Sequence, residues 1–181
     1  MSASPAEPPA VRTAQPVDAR AIAEVHVAAW REAYRGHLPD RYLRRLSVAE
    51  RARSWRSRIA GKRADECVLV AVRGRSVVGF ASGGPTRDGD DDPKRVGEVY
   101  AVYVTPGEWG RGGGRALLSA TTTSLVALGF DAASLWVLET NDRARAFYEH
   151  HGWQHDGSTK RERFGEPVTE VRYRLALRSH S

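Results

Sequence analysis

The sequence predicts one mixed α/β domain, and three patterns carry that prediction. Apolar residues recur at helical spacing through the first third, Cys67 to Gly83 reads as strand, turn and strand, and Val96 to Gly129 runs strand, glycine turn, helix. A chain of 181 residues accommodates one core that folds without disulfide staples. Residues 1–10, rich in Ser, Ala and Pro, are expected to be a disordered tail, and residues 11–181 the domain.

The elements follow in order. Val11 to Ala14 suits a short first strand. Asp18 is placed to cap a helix whose positions Ile22, Val25, Ala29, Trp30 and Ala33 share a face, and Pro39 breaks it. Ser47 with Glu50 three residues on has the form of a capping box, opening a helix with Val48, Ala52, Trp55 and Ile59 on one stripe and Gly61 after its end. Cys67 to Val72 and Ser76 to Gly83 flank the turn Arg73-Gly74-Arg75 as a hairpin, and the aspartate-rich segment 84–95 is a polar loop. Val96 to Val104 is a long strand. The next helix carries Leu117, Leu118, Leu125 and Leu128, and Ser134 to Leu138 is again a strand. A helix from near Asn141 to Gly152 precedes the last strands, Trp153 onward and Val168 to Leu177.

Composition narrows the function classes. With 41% hydrophobic and 28% charged residues, the chain falls among ordinary globular domains. No stretch approaches the roughly 20 apolar residues of a membrane span, and the N-terminus lacks the positive start and apolar centre of a secretory signal. A cytoplasmic protein with no membrane partner is the expectation. The net charge of +6 raises the question of nucleic acid. The arginines between 41 and 63 spread around several helical faces instead of forming one stripe, so a solvated surface is expected and no nucleic-acid partner. Cys67, the sole cysteine, lies in an apolar run and reads as a small core residue. His150, His151 and His155 have no Cys or carboxylate at ligand spacing, so no metal site is expected.

The chemistry sits in the glycine turn. Trp109, Gly110, Arg111, Gly112, Gly113, Gly114 and Arg115 join a strand to a helix. Glycines let the backbone approach a ligand closely, and a helix N-terminus presents unpaired N–H groups with partial positive charge to a phosphate. Arg111 and Arg115 add charges that reach phosphate oxygens. A nucleotide P-loop is excluded because no Lys-Ser/Thr pair follows the glycines. A dinucleotide-binding turn, with Glu139 as its acidic residue, stays as an alternative. It is weakened by the run Thr105 to Trp109 between strand and glycines and by Arg115 at the third glycine position.

The run Val104-x-Pro106-x-x-Trp109-Gly110-Arg111-Gly112-Gly113-Gly114-x-x-Leu117-Leu118 resembles the pyrophosphate motif of the GNAT superfamily of N-acetyltransferases, with Trp109 where the family more often has Gln or Arg. A second run is similar to a further segment of that family, Leu135-x-Val137-x-x-x-Asn141-x-x-Ala144-x-x-Phe147-Tyr148-x-x-x-Gly152-Trp153. Two motifs in order at the right spacing are far more specific than either alone.

The resemblance implies a central, mostly antiparallel sheet flanked by helices, and transfer of an acetyl group from acetyl-CoA, as co-substrate, to a primary amine by direct attack. It implies that Val102, Tyr103 and Val104 hold the pantetheine arm through their main chain, that Trp109 to Arg115 hold the diphosphate, and that Asn141 serves as helix cap and cofactor contact. By the same resemblance Tyr148 is the general acid, Glu98 the candidate base, and Trp30 and Tyr34 line the acceptor groove opposite Lys160 to Gly165, with Tyr42 beside them. The partner is then a small-molecule or peptide amine, and a homodimer is among the assemblies the family allows. A CoA-binding regulatory module without catalysis is the other alternative, against which the intact Tyr148 and Asn141 argue.

Overall fold

The computed structural model describes residues 7–177. Seven strands form one sheet in the order β1-β2-β3-β4-β5-β7-β6. They are β1 (Ala10–Thr13), β2 (Cys67–Arg73), β3 (Ser76–Pro85), β4 (Val96–Val104), β5 (Ala132–Leu138), β6 (Gln154–Phe164) and β7 (Glu166–Ala176). Five helices accompany them: α1 (Ala19–Ala33), α2 (Asp40–Arg44), α3 (Val48–Ala60), α4 (Gly113–Ala127) and α5 (Asp142–His150). Every neighbouring pair is antiparallel except β4 with β5. That pattern matches the expected mixed architecture and rules out the dinucleotide alternative, which needs a parallel, doubly wound sheet.

Local chemistry explains the boundaries. Ser47 Oγ accepts from Glu50 N–H at 3.3 Å and opens α3, and Asn141 Oδ1 accepts from Ala144 N–H at 3.1 Å and opens α5. Asp18 makes no such cap at α1. Its carboxylate instead accepts from Gln15 N–H and pairs bidentately with Arg12, tying the 3₁₀ turn Pro16–Asp18 back to β1. The arginine hydrogen bonds hold the Asp18 carboxyl below its usual range against the opposing effect of burial. The end of the segment expected as a tail, residues 1–10, belongs to the fold: Ala10 opens β1, and Pro9 is buried and approaches Gly113. Residues 1–6 of it lie outside the described residues.

The sheet is covered on both faces. On one face α1 and α3 pack Ile22, Val25, Trp55 and Ile59 against Val68, Val70 and Phe80. On the other, α4 buries Leu117 against Leu69, Ala71, Ala81 and Val104, and Leu118 and Leu125 against Val99, Leu135 and Tyr173. Among the described residues no helix is long and apolar enough to cross a membrane.

Two features shape the middle of the sheet. Ser82 pairs with Ala101 and Gly83 with Val99, so Tyr100 is an extra residue, a β-bulge in β4. In addition, β4 and β5 pair only through Val96–Ala132, Gly97–Ala133 and Glu98–Ser134, and beyond that point they part. A fork opens between them.

Candidate active site

The fork holds a cleft of about 1180 Å³ lined by the end of β4, the middle of β5, the glycine turn, one side of α5 and the C-terminal end of α1. Val102, Tyr103, Val104, Trp109, Gly110, Gly112, Gly114, Arg115, Asn141 and Tyr148 all line it, bringing both sequence motifs to one place.

The glycine turn is built for close approach. After the 3₁₀ turn Pro106–Glu108, the Trp109 indole N–H donates to the Val104 carbonyl at 2.8 Å and pins the turn to the strand end. The Arg143 guanidinium lies over the Trp109 ring, 4.0 Å from its centre. Gly112 then takes φ +84°, a left-handed conformation that a side chain strains, and caps α4 with no side-chain oxygen. The first-turn amides of α4 are thereby left for a ligand. A Cβ on Gly114 would come within 3.4 Å of Phe147 and fill the space between α4 and α5. A diphosphate fits this cradle: bare backbone, a positive helix end and the Arg115 side chain at the rim.

Two residues of the motif do other work. Arg111 pairs with Glu108 at 2.8 Å, and Glu108, which lines the cleft, also takes Arg73 at 2.8 Å, so Arg111 is tied to the cleft wall through Glu108 without lining the cleft itself. Gly113 is buried against Val104 and lets helix and strand touch.

Four tyrosines line the cleft; Tyr100 gives its hydroxyl hydrogen to the Pro85 carbonyl at 2.6 Å, and the other three are Tyr148, Tyr34 and Tyr103. Tyr148, on α5, packs near Phe147, Trp153 and Tyr173 and lines the cavity. Burial, with Tyr103 adding to it, pushes its phenol well above the ordinary value. Tyr34, at the end of α1, and Tyr103, on β4, share a hydroxyl–hydroxyl hydrogen bond of 2.9 Å, and burial raises both. Near them the His37 Nδ1 and Thr140 Oγ1 lie 2.9 Å apart and join the segment after α1 to the turn before α5.

Two predicted residues stand elsewhere. Trp30 is wedged among His26, Tyr34, Tyr103 and Phe164 and does not line the cleft. Its register with Ile22 and Ala33 already allowed a core position. Glu98, the candidate base, is 1% exposed and absent from the cleft lining. Its carboxylate accepts from Arg87 N–H at 2.9 Å, Nε at 3.1 Å and Nη2 at 2.5 Å. A carboxylate engaged this way has its lone pairs committed to a guanidinium, so the geometry gives it a role in holding the 86–95 loop on the sheet.

That loop is fastened further along. Arg172, 4% exposed, donates to Asp88, Asp90 and Asp156, and Arg174 to Asp91 and Asp156. Asp88, Asp90 and Asp91 bring carboxylate oxygens within 4.8 Å of one another, and the cations they hold are these guanidinium groups. Asp88 also accepts the Trp136 indole N–H through both oxygens, at 3.0 and 3.1 Å. Sequence reasoning missed Trp136, which lines the cleft; its place inside the second motif, five residues before Asn141, was the available signal.

A forked mixed sheet with a glycine-turn helix at its mouth is the architecture of acyl-CoA-dependent N-acyltransferases. Comparison with known proteins makes this specific. Residues 19–153 match the Acetyltransferase (GNAT) family, and the chain belongs to that family, an acetyl-CoA-dependent N-acetyltransferase. It is 38% identical over 132 residues, 72% of each chain, to the uncharacterized N-acetyltransferase YuaI of Bacillus subtilis. It is 29% identical over 170 residues to the chain named probable N-acetyltransferase Rv2775 of Mycobacterium tuberculosis, covering 91% of this chain and 92% of the other. Among solved structures, YncA of Salmonella typhimurium, described as a putative acetyltransferase and determined with acetyl-CoA, superposes with a TM-score of 0.71 over 96% of each chain at 22% identity.

Proposed function

We propose that acetyl-CoA lies in the fork with its diphosphate on the first turn of α4, and that Tyr148 is the general acid in direct transfer to a primary amine. The bound thioester supplies an activated acetyl group. The residues of this chain do the rest. The uncapped amides after Gly112 and the Arg115 side chain bind the anionic end. Main-chain groups from Val102 to Val104, freed by the parting of β4 from β5, face the arm of the cofactor. Asn141 fixes the start of α5 and so the direction in which Tyr148 projects.

The observation that carries the acid role is the position of Tyr148 in the cleft wall with a phenol pushed upward by burial. Such a group keeps its proton throughout the physiological pH range and has it ready for a departing thiolate. The same desolvation that raises the phenol also raises the basicity of a sulfur leaving beside it, which preserves the match that proton transfer needs. Tyr34 and Tyr103 form the acceptor-side wall, where their paired hydroxyls leave oxygen lone pairs for an incoming N–H.

The test is Tyr148→Phe, assayed by thiol release from acetyl-CoA across a panel of primary amines. Turnover is expected to fall by roughly 10²- to 10⁴-fold, the range for a lost general acid, while acetyl-CoA still raises the melting temperature. A variant as active as the parent removes the acid role.

A further inference from the structure

One cluster at the fork remains unused by this reading. Trp136 stands two residues past Ser134, the last β5 residue paired with β4, and its ring lies on the side of the sheet opposite Leu135 and Val137, whose side chains join the α4-side core. The clamp from Asp88 fixes the indole edge. Over its ring sits the Lys160 ammonium, 4.5 Å from the ring centre. The same nitrogen is 3.3 Å from Glu170 Oε2 and 3.6 Å from Glu162 Oε1. Glu170 is 15% exposed at its side chain, and burial pushes its carboxyl up even with Lys160 beside it.

Lys160 and Glu170 are direct cross-strand partners, so an ordinary ion pair is the simpler account. Three facts go beyond it. The carboxylate is mostly buried, where an isolated pair gains little over its desolvation cost. The cation is also seated on an aromatic face, a combination that recognises ammonium groups. Finally, the other carboxylates fastened on this part of the sheet, Glu98, Asp88 and Asp91, are held by the arginines Arg87, Arg172 and Arg174; at Trp136, the member of the cluster that lines the cleft, a compact ammonium joins the Arg172 guanidinium, which lies 5.4 Å from the ring centre.

We propose that the Trp136 ring and the Glu170 carboxylate form the subsite for the acceptor's ammonium group, and that Lys160 fills it as an internal stand-in which the acceptor displaces. The proposal rests on the N-acetyltransferase reading of the fork and narrows the acceptor to an unhindered primary amine on a flexible, unbranched chain, the shape of the lysine side chain that fits there. On displacement Lys160 keeps a partner in Glu162, which is 44% exposed and 3.6 Å away.

Binding tests this without turnover. Thermal unfolding of the full chain is followed with n-butylammonium chloride, against sodium chloride at equal ionic strength to remove screening effects. Lys160→Met is expected to show a melting-temperature rise that saturates with amine. The wild type should need roughly tenfold more amine if its own lysine fills the site nine-tenths of the time, and Lys160→Met combined with Glu170→Gln should show no rise. Lys160→Gln, which retains hydrogen bonding to Glu170, is carried in parallel. No amine-specific rise in the single variants, or an equal rise in the double variant, overturns the subsite. So does failure of both single variants to fold, which makes the pair purely structural. Acetyl-CoA is added separately: a shift with acetyl-CoA but none with n-butylammonium sinks the subsite alone, whereas no shift with acetyl-CoA sinks the reading on which it rests.

Discussion

His26 makes the aromatic wall behind the cleft sensitive to acid, and the size of the effect follows from its surroundings. The ring is 8% exposed, stacked on Tyr103 with an interplanar angle of 10°, and flanked by Trp30, Trp55 and Phe80. Nδ1 faces the Trp55 indole N–H at 3.2 Å and must accept, so the neutral ring carries its hydrogen on Nε2, which has no partner among the described residues. A second proton would cost the Trp55 hydrogen bond and place a charge among rings. Burial, and then Arg51 of α3, lower its pKa from 6.5 to about 4.

In that window the unfolded chain binds the proton and the folded chain does not, so stability rises with pH. The contribution is complete above pH 6.5 and is lost as pH falls to about 4. At about 1.4 kcal/mol per pH unit the loss is about 3 kcal/mol. Urea unfolding midpoints of the wild type and His26→Gln between pH 7 and 4 measure it. The difference between the two profiles isolates His26 from the carboxylates, which titrate in both. Parallel profiles across that window would refute the assignment of a buried neutral imidazole.

Two further predictions concern the loop and the turn. Arg87→Ala takes the guanidinium from the buried Glu98 carboxylate, leaving it the main-chain N–H of residue 87, and is expected to cost about 3 kcal/mol, whereas Glu98→Gln releases an Arg87 side chain that is 64% exposed and is expected to cost only about 1 kcal/mol. If Glu98 instead acts as the base, Glu98→Gln will abolish the rising limb of the pH–rate profile. Gly114→Val places branched carbon beyond a Cβ already 3.4 Å from Phe147 and is expected to weaken acetyl-CoA at least about tenfold, or about 1.4 kcal/mol, measured by calorimetry, with the helical circular dichroism unchanged.

Much of this was legible because the decisive signals are local. Ser47 and Asn141 cap helices through atoms three residues away, and Gly112 and Gly114 act through their own backbone. Helix α2 escaped notice because its five residues are too few to show a period. The ends of β6 were obscure because its residues are exposed or half-buried throughout, so no alternation marks a buried face. The surroundings of Glu98 were hidden for a different reason. A strand-start glutamate looks like surface until the loop bearing Arg87 folds back over it, and the aspartates of that loop find their arginines more than 80 residues away. No spacing rule reaches that far. Trp136 was passed over because its partners, Asp88, Lys160 and Arg172, are likewise assembled only by the sheet.

The extra residue in β4 has a consequence for how such enzymes diverge. Because Tyr100 is unmatched on β3, Tyr103 turns toward α1 while Val102 and Val104 turn toward α4. Taking up the bulge with the sequence unchanged, so that Tyr100 paired with Ser82, would shift the register by one and exchange every later side chain of the strand between the two faces. Valine would then meet the acceptor, and a phenol would be driven into the apolar layer under α4. Substitutions along this strand can retune what each face recognises one position at a time. A slip of the pairing into the bulge swaps the two faces wholesale, so the irregular residue acts as the lock on which face meets the acceptor.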